Sequence, residues 1–117
     1  MPKPRPVSAK SLEFIGAMKV VAIAQRGTKR DFVDLYCILQ DIPFWKIAER
    51  MALFFGKERI NPVLFGKALV YFADAEADPE PRYLGSTAPK WADMKKFFRS
   101  QVRQMVFDLQ AARDPGP

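Results

Sequence analysis

A chain of 117 residues has room for one domain around one core, and not for two. Hydrophobic residues make up 49% of it and aromatics 13%, which excludes a disordered polypeptide, and no apolar run approaches the ~20 residues of a membrane span. The net charge of +6 favours acidic partners such as nucleic acid or nucleotide phosphates, unless the cations are simply spread for solubility, and the lack of any histidine excludes Ser-His-Asp triads, Cys-His dyads and histidine metal sites.

The chain opens with prolines at positions 2, 4 and 6, which predict an extended arm over residues 1–10 with no apolar signal region. Residues 11–111 then read as one helical domain, and residues 112–117 as a frayed tail. Ser8 or Ser11 can cap a first helix ending near Gln25, with Leu12, Ile15, Ala22 and Ile23 facing inward and Gly27 as its stop. Thr28 can cap a second helix, with Asp31 in a capping-box-like place and Phe32, Leu35, Tyr36 and Leu39 as its buried stripe. The single Cys37 on this helix reads as a small apolar residue. With no second cysteine to pair it, a reducing cytoplasm is the expected setting.

A third helix is predicted from Pro43 to about Phe55, with Ile47, Met51, Phe54 and Phe55 inward. Asn61-Pro62 reads as cap and first-turn proline of a fourth, ending near Ala77. Residues 79–89 are a proline-rich loop. Ala88-Pro89 opens the longest helix, where Trp91, Met94, Phe98, Val102, Met105 and Leu109 recur at helical spacing. No stretch alternates with period two. The fold class expected is all-α, a single domain of about five helices.

Three constellations in the first half carry chemistry. Lys19 lies among the apolar positions of the first helix, so its ammonium must find an anion or snorkel out over the core. Arg26, Lys29 and Arg30 set three cations beside the free amides of a helix N-terminus, which attracts anions unless the turn is merely solvated. Asp31 and Asp34 share a helix face, where they could act as a base, meet a metal with its substrate, or hold the cations in place. Further along, Asp74 and Glu76 oppose a helix dipole, and an ion pair with the basic loop would account for them. Trp91 reads as core rather than as a base-stacking group.

In this order the segments resemble the C-terminal half of the AbiEii/AbiGii nucleotidyltransferase toxin family of abortive-infection and type IV toxin–antitoxin systems. The matching text is Ala17-Met18-Lys19, Ala22, Ala24, Arg26-Gly27, Lys29-Arg30-Asp31-Phe32 and Asp34-Leu35-Tyr36. It continues through Lys67-Ala68-Leu69, Tyr71-Phe72, Asp74-Ala75-Glu76 and Trp91 with Lys95. The resemblance implies transfer of nucleotides from a nucleoside triphosphate to RNA, transfer RNA in relatives, with Mg²⁺ as cofactor. It also implies an opposing antitoxin and a separate strand-built catalytic domain.

By that resemblance Lys19, Asp31 and Asp34 form the catalytic set, while Arg26, Lys29 and Arg30 bind phosphate, Lys19 sharing the triphosphate with Arg26. Asp74, Glu76 and Trp91 support them. The Gly-Ser signature is absent from any strand context, since Gly85-Ser86 falls in the loop, and no strand carries a carboxylate pair. Where the family has an acid four or five places before the lysine, this chain has Phe14 and Ile15, with Glu13 the nearest acid. The expectation is a helical half that binds nucleotide and does not catalyse alone, without a metal site of its own. A stand-alone module binding nucleotide, RNA or a protein is the alternative, and apolar surface left by the absent half would favour a homo-oligomer.

Overall fold

A computed structural model of the chain describes residues 8–78 and 89–114. Residues 1–7 of the arm expected over 1–10, the loop with Pro79-Glu80-Pro81 and Gly85-Ser86, and the last three residues lie outside them, while Ala9 and Lys10 already belong to the first helix. The described residues form α1 (Ala9–Gln25), α2 (Lys29–Leu39), α3 (Phe44–Phe55), a 3₁₀ turn (Lys57–Arg59), α4 (Pro62–Leu69), α5 (Ala73–Ala77) and α6 (Trp91–Arg113). There is no strand among them. The fold is all-α, as expected.

The helix starts follow the predicted caps. The Ser8 hydroxyl accepts from the Ser11 amide at 3.2 Å, Thr28 from Asp31 at 3.2 Å, and Asn61 from Leu64 at 3.1 Å with Pro62 in the first turn. Between α1 and α2, Gly27 takes φ +60°, the left-handed setting that lets the chain reverse in three residues. A methyl added there would sit 3.4 Å from the Ile23 carbonyl, so the obstacle is backbone conformation and not space. Gly27→Ala is expected to cost about 1–2 kcal/mol in urea denaturation.

α3 and α4 each pack against both α1 and α6, so the two longest helices clasp them from opposite sides, while α2 leans on α1 and α5. Gly16 permits the close α1–α3 approach, since a Cβ there would come within 2.6 Å of Ile47 Cδ1. Phe32 anchors the other end. Fully buried, it meets the rings of Phe72, Trp91 and Phe98 at centroid distances of 5.3, 5.9 and 5.5 Å.

Three packing details differ from the expectation. The inner face of α1 is Gly16, Ala17, Val20 and Ile23, while Ile15 is exposed and Leu12 and Ala22 are half-buried. This helix is apolar nearly all round, so periodicity cannot choose its face. On α3, Phe54 points outward and stacks edge-on against exposed Phe14 at 5.1 Å, and Ala48 joins the core instead. The expected fourth helix is cut into α4 and α5, because the backbone turns at Val70 (φ −120°, ψ 9°) and brings Phe72 inward beneath Phe32. α5 is little more than one turn, so the substantial helices number five.

Candidate functional site

The α1–α2 hairpin places its charged groups around one buried carboxylate. Asp31, in the first turn of α2, is 1% exposed. Its Oδ2 accepts from Arg26 Nε at 2.8 Å and from the Thr28 hydroxyl at 2.7 Å. Its Oδ1 accepts from Arg26 Nη2 at 3.0 Å and lies 3.5 Å from Lys19 Nζ. Arg26 therefore grips it in a two-point fork. Thr28 serves twice, since the hydroxyl that caps α2 also donates to the carboxylate.

Lys19 reaches this cluster from about two turns back along α1. Its ammonium sits 2.8 Å from Asp34 Oδ2, and the Lys19 side chain is 24% exposed. It thus bridges Asp31 and Asp34, which the i, i+3 spacing sets on one face. Burial alone would push the Asp31 carboxyl up. The hydrogen bonds from Arg26 and Thr28, with the charges of Arg26 and Lys19, outweigh this and hold it below the usual carboxylate range. The same bond raises Arg26 above its ordinary value, so the pair stays ionised at any physiological pH.

The cluster is balanced, with two cations against two anions, but its exposure is not. The Asp31 side chain is almost fully buried, whereas the Arg26 side chain is 63% exposed and has more donors than the fork uses. Beside it runs a cleft of about 270 Å³ lined by Met18, Lys19, Val21, Ala22, Gln25 and Arg26. The wall of this cleft is the outer face of α1, which continues through Met18 to exposed Phe14 and Ile15. An anion in the cleft would meet Arg26 already fixed in direction.

Other predicted residues fall elsewhere. Lys29 is buried, with its ammonium 5.2 Å from the Trp91 ring centroid, and Trp91 packs on Phe32 and Phe72. Arg30 and Asp74 are exposed. Glu76 does not pair with the basic loop; it meets Lys95 of α6 at 3.4 Å. Among the described residues Asp78 reaches that loop, its Oδ2 accepting from the Lys29 amide at 3.0 Å and so covering the N-terminus of α2. Sequence reasoning passed over it because it lies beyond α5, with no periodic signal tying it to α2. Glu13 is held by Arg50 at 3.1 Å and does not join Lys19. Cys37 is exposed, and partial burial together with Asp34 and Asp41 pushes its thiol up, away from the reactive thiolate.

The donor set does not fit a divalent cation. Asp31 spends both oxygens on Arg26, Thr28 and Lys19, Asp34 faces Lys19, and a metal would have to displace these bonds. No group of three or more Asp, Glu, Cys or His side chains suited to a metal occurs among the described residues. No helix among them is long and apolar enough to cross a membrane.

Comparison with known proteins gives a family and one relative. The profile of the family described as Nucleotidyl transferase AbiEii toxin, Type IV TA system, matches residues 2–113. An uncharacterized protein of Aquifex aeolicus (strain VF5) is 36% identical over 93 residues, which cover 79% of this chain and 43% of the relative. The chain thus spans about half the length of that relative or less. No solved structure matches it.

Proposed function

Given that the chain belongs to the AbiEii nucleotidyl transferase toxin family of type IV toxin–antitoxin systems, we propose that it contributes the phosphate-contacting helical half of a nucleotidyl transfer from a nucleoside triphosphate to RNA. The observation that carries this reading is the Arg26 guanidinium, pinned in a fork on buried Asp31 and lining a cleft together with Lys19. A donor fixed before its ligand arrives loses little freedom on binding, so its full attraction goes into holding phosphate. In this arrangement Arg26 and Lys19 touch the triphosphate. Asp31, Asp34 and Thr28 are positioning residues that hold those two cations in place.

The same geometry divides the labour. In such a transfer Mg²⁺ neutralises charge on the transferring phosphate. The Asp31–Asp34 pair is committed to cations, so in this reading the metal-holding carboxylates would come from the strand-built half that the family resemblance implies. The outer face of α1, with Phe14, Ile15 and Met18 exposed next to the cleft, is the surface on which that half would rest. The opposing antitoxin is the expected third component.

Purified chain mixed with Mg²⁺, labelled nucleoside triphosphates and transfer RNA is expected to bind triphosphate without labelling the RNA. Failure to bind triphosphate sinks the reading, and label on RNA sinks the division into halves. Lys19→Ala is expected to weaken triphosphate binding roughly tenfold, as for loss of one charge-assisted contact. Because its ion pair is partly solvated, stability should change by less than about 1 kcal/mol. A collapse in Tm with unchanged binding would make Lys19 structural.

A further inference from the structure

Away from the cleft, α6 carries a second cationic feature. Between Met94 and Phe107 it has four cations and no acidic residue. Lys95 is engaged with Glu76, but Lys96, Arg99 and Arg103 form no ion pair among the described residues. They follow at i, i+3 and i+7, on one exposed stripe about 10 Å long. Phe107 extends the stripe by one further turn and is 62% exposed. The Arg99 guanidinium lies 5.2 Å from the Phe72 ring centroid, which gives the middle of the stripe a fixed direction.

An apolar groove runs alongside. It measures about 280 Å³ and is walled by Val63, Gly66 and Val70 of the α4 side and by Val102 and Val106 of α6, with Lys67 at its edge. Val102 and Val106 immediately precede Arg103 and Phe107, so the groove wall and the stripe run side by side along the same helix. A row of cations flanked by apolar wall and ended by an exposed ring is what a polynucleotide with unpaired bases requires. Phosphates lie on the charges, while bases and sugars rest on valine and phenylalanine. A duplex would use the charges but hides the base faces that the rest of the surface would contact.

We infer that the Lys96–Arg99–Arg103 stripe, with Phe107 and the valine groove beside it, binds a single-stranded segment of RNA. This deepens the reading above, since that strand would be the acceptor of the transfer.

The test is fluorescence anisotropy on the full chain with a labelled single-stranded RNA of about twelve nucleotides, read against the same sequence as duplex and against heparin, over a salt series. The wild-type chain is expected to prefer the single strand. Replacing Lys96, Arg99 and Arg103 by Gln should lower affinity roughly tenfold or more and flatten the log–log salt slope by about 2. Phe107→Ser should lower affinity roughly tenfold with the slope unchanged. Both variants should keep the wild-type affinity for free triphosphate.

Equal binding of duplex or heparin, or an unchanged affinity in either variant, overturns the inference. Triphosphate binding with no RNA binding defeats the stripe and leaves the cleft assignment standing. RNA binding on the stripe with no triphosphate binding does the reverse. Both variants alter only exposed side chains, and the circular dichroism of each should match the wild type.

Discussion

Phe32→Ala is expected to lower the stability of the chain by about 3–5 kcal/mol, the range found when a fully buried aromatic ring leaves a cavity. No part of its ring surface faces water, and three further rings lean on it edge-on or tilted. Those partners come from separate segments. Phe72 sits at the break between α4 and α5, and Trp91 and Phe98 occupy the first turns of α6, so no single rearrangement can refill the gap. The corresponding fall in Tm is roughly 15–30 °C for a domain of this size. Urea denaturation followed by far-UV circular dichroism measures it. A loss under about 1 kcal/mol would mean that the four-ring cluster does not hold α2 to α6.

Asp31→Asn is the other large effect, and it acts on stability and binding together. The amide keeps the shape of the carboxylate but turns one end into a donor, which faces Arg26 or Lys19 donors. Breaking a buried ion pair costs up to about 3–5 kcal/mol. Here Arg26 can relax into solvent and Lys19 keeps Asp34, so about 2–3 kcal/mol is expected at neutral pH.

The effect should also depend on pH in a definite direction. The folded-state pKa of Asp31 is depressed, so its contribution is fully present above the unfolded value of about 3.9 and is lost as pH falls through the folded value. The stability gap between wild type and Asn variant should therefore be flat above about pH 5 and close below about pH 4. A gap that widened on acidification would contradict the charge assignment. Triphosphate affinity should drop in the same variant, roughly five- to tenfold, because Arg26 is no longer held.

The sequence carried some of this plainly and hid the rest for physical reasons. Caps such as Thr28 and Asn61 are short-range devices, so local text is enough to find them. The stripes of α2 and α6 alternate apolar and polar sides, and their buried residues Phe32, Leu35, Phe98, Met105 and Leu109 follow from period alone. α1 has no such contrast. It presents one apolar face to the core and another outward, and a pattern with two answers gives neither.

The convergence of Lys19 and Asp34 followed from the charge pattern, whereas the link from Asp78 to α2 joins residues 49 apart and leaves no local trace. Glu76 shows the same limit. Its partner Lys95 lies on a helix whose approach to α5 is set by Phe72, not by charge.

Every contact in the Arg26–Asp31 cluster is made inside one helical hairpin, across a reversal of three residues. Closing so short a loop costs little chain entropy, while the Phe32 cluster must wait for α6 to return from far along the chain. The charged cradle is therefore expected to take shape ahead of the hydrophobic interior, as a self-templating pair of helices that the remaining segments then enclose.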